Sequence, residues 1–279
     1  MQEKKIDIQD VRKIIALISQ QYQFDFGEYA MSSFKRRLLR VLELHNFDSM
    51  AQLIDHLTKN KSFFEVFLKE ITVNTTEMFR DPSFWKTLKE DVFPLVAKFP
   101  TIRIWHSGCS SGEEVFSMAI ALKEAGLYEK TKVLASDINE DVIAKALTGV
   151  YPYRHMQLNE TNYKYFGGQN NLSDYYTKSS DNVTMDLELL KNVTFKKIDL
   201  IQSHQYSKFD IILCRNVLIY FNVELQDRIV AKFSNDLAAG GFLVLGSKET
   251  IAWYKSYDLY TVFSSKERIF RKKLIDYEF

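Results

Sequence analysis

Apolar residues in the first quarter of the chain recur at helical spacing. Val11, Ile14, Ile15 and Ile18 share one face, as do Leu53, Ile54 and Leu57. Between them, Phe34, Leu38, Val41 and Leu42 line one side of "SSFKRRLLRVLELHN". Arg36 and Arg40 stand four apart on the opposite side, with Arg37 beside them. No strand-like run interrupts residues 1–75, which predicts a helical domain there. From residue 100 onward the period changes. The short apolar runs "IRIWH" (102–106), "KVLAS" (132–136), "VTFKKI" (193–198), "FDIILC" (209–214) and "GFLVLG" (241–246) read as strands. Helix-like stretches follow at 113–125, 139–147 and 223–238. Alternation of this kind predicts an α/β domain over 76–279, with a mostly parallel sheet covered by helices on both faces. The closing "YTVFSSKERIFRKK" reads as two strands around a polar turn, an antiparallel edge. Residues 150–192 break the alternation, being polar, turn-rich and studded with β-prone Tyr, Thr and Val. They predict a small inserted subdomain.

Composition narrows the class without naming a function. The 46% hydrophobic content of the 279 residues can fill a sizeable core, and only 4 Pro and 10 Gly argue against long disordered tracts. A net charge of +1 gives the whole molecule no pull toward nucleic acid or anionic membrane, so any basic recognition surface must be local. The start, "MQEKKIDIQDVRK", is charged where a secretory signal would be apolar, and no window reaches membrane-spanning length. Cys109 and Cys214 are too few and too isolated for a disulfide framework or a zinc site. A cytoplasmic monomer without metal, nucleic-acid partner or membrane insertion is the expectation.

Candidate chemistry centres on Gly108-Cys109-Ser110-Ser111-Gly112, between the first apolar run and a helix-like stretch. The spacing matches a hydrolase nucleophile elbow, but such an elbow follows several strands and an upstream oxyanion-hole segment. Here a helical region precedes it, and only His155 and His204 lie downstream. The alternative is a turn ending the first strand of a nucleotide-type fold, with glycines that let backbone approach a ligand. A pyrophosphate would favour an uncharged helix start, whereas this turn runs into Glu113-Glu114. Carboxylates there suit a ligand with a cationic ammonium group, such as S-adenosylmethionine, although they also complement the helix dipole. Asp137, in "LASDINE", is the acidic residue expected after the second strand to accept from ribose hydroxyls. Ser110 is then a turn residue.

Five blocks carry a resemblance: "NTTEMFRD" (74–81), "RIWHSGCSSGEEVFSMAIAL" (103–122), "ASDINEDVIAKALTGVY" (135–151), "FDIILCRNVLIYFN" (209–222) and "GGFLVLGSKETI" (240–251). Their order and spacing resemble those of the CheR family, chemoreceptor glutamate O-methyltransferases. The likeness runs from about residue 8 to 272. It implies a class I, Rossmann-like methyltransferase domain that binds S-adenosylmethionine and releases S-adenosylhomocysteine, an N-terminal helical domain, and a small inserted antiparallel β-subdomain. Carried over residue by residue, the Asn-x-Thr-x-x-x-Arg motif lining the cofactor falls on Asn74, Thr76 and Arg80. The loop after the first strand gives Gly108, with Glu113 and Glu114 as its acidic pair, and the ribose-binding acid is Asp137. The family's Asn-Leu pair beside the adenine becomes Asp199-Leu200, a departure that questions the polar contact there. Arg215, Asn216 and Tyr220 match its Arg-Asn-x-x-x-Tyr, and Arg80 and Tyr220 are the candidate catalytic residues. The implied partners are the helical cytoplasmic domains of methyl-accepting chemoreceptors, with Arg36, Arg37 and Arg40 as an exposed docking face. Two rivals stay open: a silent cofactor-binding or receptor-docking module, and a methyltransferase for another acceptor. Against an amino-methylating enzyme, no two of the four prolines adjoin, so its Pro-Pro-aromatic motif is absent.

Overall fold

A computed structural model of the protein describes residues 6–71, 76–201 and 208–274. The chain divides into two units. The first combines residues 1–74 with 219–226, and the second holds 75–218 and 227–279.

The first unit is built on four helices, α1 (Ile8–Tyr22), α2 (Met31–Leu44), α3 (Met50–Lys59) and α4 (Phe63–Ile71). Two of them start where the sequence supplies a cap. Asp7 accepts the backbone N–H of Gln9 at 3.3 Å, and Ser49 accepts that of Gln52 at 3.4 Å. The apolar stripes read from the sequence close on one another: Val11, Ile14, Ile18, Phe34, Leu38, Val41, Leu42, Leu53 and Leu57 are all buried in one cluster. Phe26 sits among Tyr29, Phe34 and Phe67. Residues 219–226 join this unit through backbone. Tyr29 pairs with Phe221 in an antiparallel bridge, Ala30 N–H donates to Tyr220 O at 2.9 Å, and Asn222 N–H donates to Glu28 O at 2.8 Å.

The second unit opens with a helical run of α5 (Pro82–Thr87), a π turn (Leu88–Val92) and α6 (Phe93–Val96). Strands and helices then alternate: β1 (Ile102–Ser107), α7 (Glu113–Glu124), β2 (Thr131–Asp137) and α8 (Glu140–Thr148). Next come β3 (Val150–Pro152), α9 (Met156–Phe166), β4 (Tyr176–Ser179) and β5 (Asn182–Met185). The chain returns through β6 (Val193–Lys197) and β7 (Phe209–Cys214) to α10 (Val223–Asp236), and ends in β8 (Leu237–Leu245), β9 (Tyr260–Ser264) and β10 (Ile269–Lys272).

Seven strands form one sheet in the order β6-β2-β1-β7-β8-β10-β9. The first five are mutually parallel, and β10 and β9 add the antiparallel edge. All six residues of β7 are buried, as expected of a central parallel strand covered on both faces. The inserted segment forms a three-stranded antiparallel sheet, β3-β5-β4. It also contains α9, which the sequence reading missed. The inward face of that helix carries Asn159 and Asn162 beside Met156, Tyr163 and Phe166, so its apolar stripe is broken. The two amides are satisfied by backbone: Asn159 Oδ1 accepts Met78 N–H at 3.1 Å, and Asn162 Nδ2 donates to Met78 O at 3.1 Å.

Candidate active site

The strand order reverses between β1 and β7: the chain steps from β1 through β2 to β6 on one side, and from β7 to β8 on the other. Ligands of open parallel sheets bind at the carboxyl ends of strands flanking such a reversal. The nominated residues of this unit stand there. Gly108 follows β1, Asp137 ends β2, Asp199 and Leu200 lie just past β6, and Arg215 and Asn216 follow β7.

The turn after β1 is wound by three residues of positive φ: Gly108 (+81°), Ser110 (+48°) and Gly112 (+91°). Glycine is required at Gly112 on two counts. Its backbone is left-handed, and an added Cβ would lie 2.7 Å from the Cβ of Ala146. The turn is strapped to β2, since Gly108 and Cys109 both donate their N–H to Ser136 O at 2.8 Å. Ser110 N–H donates to Asp137 Oδ2 at 2.9 Å, and Asn139 N–H donates to Asp137 Oδ1 at 3.1 Å. A carboxylate offers about four acceptor positions, so these bonds aim the Asp137 side chain without saturating it. Burial pushes its carboxyl above the usual aspartate range, against the pull of the backbone N–H groups.

Beneath the turn lies a charge network. The Arg215 guanidinium is 2% exposed, donating to Glu114 Oε2 at 3.0 Å, to Asp81 Oδ2 at 2.7 Å and to Arg80 O at 3.3 Å. Its carbon lies 4.3 Å from the centroid of the Phe84 ring. Glu114 Oε1 meets His106 Nδ1 at 2.8 Å. Burial alone would raise the Glu114 carboxyl, but His106 and Arg215 together hold it below the usual range. Arg215 is therefore spent on protein groups and ties three chain segments together. Glu114 is likewise engaged on both oxygens. Glu113 is buried, accepts the Ser111 hydroxyl at 2.7 Å, and is pushed upward by burial.

The remaining assignments divide. Asn74 lies outside the described residues. Thr76 and Arg80 are half-buried, and Asp81 pairs with Arg215. Among the described residues no carboxylate pairs with the Arg80 guanidinium, while its carbonyl accepts Trp85 Nε1–H at 3.0 Å. Asp199 turns back on its own loop, accepting Ile201 N–H at 2.8 Å, and Leu200 beside it is half-buried. Asn216 adopts φ +61°, and its N–H is held at 2.9 Å by Glu249 Oε2, which also accepts Gly246 N–H at 2.6 Å. His106, Asp81 and Glu249 were missed as site residues. His106 gave a readable signal as the polar residue closing the first apolar run, whereas Asp81 and Glu249 gave none. The hydrolase reading gains no support, because His106 bonds to Glu114 and Ser110 gives its N–H to Asp137.

In the helical unit, one expectation is corrected. Arg36 and Arg40 are exposed, but Arg37 is not: it is 4% exposed, on the inward face of α2 with Phe34 and Leu38. Its Nη1 donates to Ile71 O, and its guanidinium carbon lies 3.9 Å from the centroid of the Tyr220 ring. Arg37 lies one helical step, about 100°, from Arg36, and in α2 that step carries it onto the face of Phe34 and Leu38.

This donor set fits S-adenosylmethionine. An aimed aspartate at the end of β2 has acceptor positions of the kind that ribose hydroxyls need, and a glycine turn at the end of β1 leaves room for close approach. Within the network, His106 Nε2 and Arg215 Nε are the buried atoms without a hydrogen-bond partner among the described residues.

Comparison with known proteins agrees. Residues 74–269 match the SAM-binding domain of CheR methyltransferases, and residues 9–72 match their all-alpha domain. The Pseudomonas putida protein Cher3, a methyltransferase by provisional name only, is 39% identical over 97% of this chain and 98% of its own. The chemotaxis protein methyltransferase of Listeria innocua is 31% identical over 85% of this chain and 88% of its own. That of Salmonella typhimurium is 30% identical over 86% and 83%. S-adenosylmethionine is thus the cofactor of the sheet domain, and the chain belongs to the CheR methyltransferase family.

Proposed function

We propose that the protein transfers the methyl group of S-adenosylmethionine to glutamate side chains in the helical cytoplasmic domain of methyl-accepting chemoreceptors, giving glutamyl methyl esters and S-adenosylhomocysteine. The observation that carries this reading is the joint match of both domains, the cofactor domain over 74–269 and the all-alpha domain over 9–72. The relatives named chemotaxis protein methyltransferases support the receptor as acceptor. Receptor methylation of this kind takes place in the cytoplasm.

The bound cofactor supplies an electrophilic methyl group. A glutamate, with an ordinary pKa of about 4.3, is ionised at neutral pH and already nucleophilic. No general base is needed, and the protein's contribution is position and exclusion of water. Holding the carboxylate oxygen roughly 3–3.5 Å from the carbon it attacks supplies much of the rate by proximity. The carboxylate loses its charge as the ester forms, so a strong fixed cation against it would stabilise the ground state more than the transition state. Arg80 is accordingly given orientation alone, near the methionine and substrate carboxylates and not clamped on the attacking one, and Tyr220 hydrogen-bonds or shapes the acceptor slot. Asp137 holds the ribose, and Glu113 is the member of the acidic pair not engaged by Arg215. Arg36 and Arg40 draw the acidic receptor helix toward the helical unit.

The test is transfer of labelled methyl from the cofactor to a chemoreceptor cytoplasmic fragment. The expected product releases methanol in mild base, as a methyl ester does. Label that resists base, or that appears only on another class of acceptor, would replace this reading.

A further inference from the structure

Arg37 is a buried cation that none of the proposed steps uses. It is 4% exposed, and its Nε and Nη2 atoms have no hydrogen-bond partner among the described residues. Its two clear engagements are the bond from Nη1 to Ile71 O, at the end of α4, and the stack on the Tyr220 ring at 3.9 Å. Burying a guanidinium against a ring and a carbonyl, rather than a carboxylate, is a costly way to fill a helix face. A leucine would fill such a position more simply. The ring it covers is also anchored from the other side of its own residue, since Tyr220 O accepts Ala30 N–H at 2.9 Å and Phe221 pairs with Tyr29. Backbone pairing fixes the Tyr220 main chain but does not set χ1 and χ2. The planar guanidinium fixes the ring, because a cation is attracted to the face of an aromatic and Arg does so in stacked geometry.

We infer that Arg37 is a positioning residue for Tyr220: it orients the phenol ring on which the acceptor slot depends, and it is not a docking contact. The inference rests on the role given above to Tyr220. It assigns Arg37 to the rate of transfer, while Arg36 and Arg40 govern receptor capture.

The experiment is a double-mutant cycle in the full-length protein with Arg37→Met and Tyr220→Phe, alongside NMR of ring-labelled tyrosine. Arg37→Met should lower kcat about 10- to 100-fold, the effect of a misplacement of about 1 Å, and leave KM for the cofactor unchanged. In the Tyr220→Phe background the same change should cost less than threefold. The Tyr220 ring resonance should move or broaden in Arg37→Met, with the other tyrosines in place. A wild-type kcat in Arg37→Met, or equal losses in both backgrounds, would overturn the proposal. Should Arg37→Met fail to fold, Arg37→Lys keeps the charge without the planar stack. It should give a reduced kcat and a shifted Tyr220 resonance, and a kcat within twofold of wild type with an unmoved resonance would overturn the inference. If wild type methylates no receptor, the acceptor reading fails on that result alone. The ring resonance and kcat with whatever acceptor is methylated then still decide the role of Arg37.

Discussion

At the residue scale, Asp137 and Glu114 are two buried carboxyls driven in opposite directions. Among the described residues Asp137 has only backbone N–H partners, so burial wins and its carboxyl is raised. As a carboxylate it can accept from ribose hydroxyls on both oxygens. Cofactor affinity should therefore be full above its raised pKa and fall as pH drops through it, at higher pH than an ordinary aspartate of about 3.9 would dictate. Calorimetric titrations at several pH values should show this fall in wild type and a flatter profile in Asp137→Asn. Asp137→Ala should weaken both S-adenosylmethionine and S-adenosylhomocysteine by about 1.5–3 kcal/mol per lost charged hydrogen bond. Glu114 has Arg215 and His106, and its carboxyl is lowered. Its contribution to stability is present above the unfolded glutamate pKa and lost as pH falls through the lower folded value. Glu114→Gln should destabilise the protein by about 3 kcal/mol, the lower end for a broken buried pair, because Asp81 still faces the guanidinium. Chemical denaturation at neutral pH measures this. The network itself was illegible in the sequence. Arg215 and Asp81 stand 134 residues apart, and Arg215 and Glu114 stand 101 apart, so no local spacing announces that they meet.

At the element scale, the turn between β1 and α7 is the piece on which the site is hung. Gly112→Ala puts a Cβ into left-handed backbone and against Ala146, and should lower stability by about 1–3 kcal/mol, visible as a reduced melting temperature with weakened cofactor binding. Ser110→Ala removes only a hydroxyl and should retain most methyl transfer, with no esterase activity to lose. An ester hydrolysis that vanished in this variant would restore the nucleophile reading. The strands were legible because each contains a short apolar run punctuated by Gly and polar residues; β7 is buried along its whole length, while edge strand β6 has no buried residue. The helix α9 was not, because its buried face spends two positions on Asn159 and Asn162, which serve the backbone of Met78 instead of an apolar core. Arg37 was misread for the converse reason: pattern reading sends arginine outward, and a guanidinium stacked on a ring is an exception that only its tertiary partner explains.

At the scale of the whole molecule, a net charge of +1 leaves attraction for an acidic partner to local features. Arg36 and Arg40 are exposed on α2. Replacing both with Ala should raise the receptor concentration needed for half-maximal rate and leave cofactor affinity untouched. Added salt should slow wild type more than the double variant, since exposed charges are screened beyond about 8–10 Å at physiological ionic strength. Equal rates at every salt concentration would show the pair to be merely solvated.

Residues 219–226 belong to the helical unit although 144 residues of the other unit separate them from its first stretch, 1–74. The consequence concerns the order in which the protein is made. A ribosome delivers α1 to α4 early, but the bridge to Tyr29 and the ring that covers Arg37 arrive only when Tyr220 and Phe221 emerge. Until then Arg37 has no aromatic cover. The N-terminal unit therefore cannot be completed first and set aside, as leading domains usually are during synthesis. A nascent chain halted before residue 219 should expose its helical region to protease, and one halted with residues 219–226 outside the exit tunnel should protect it.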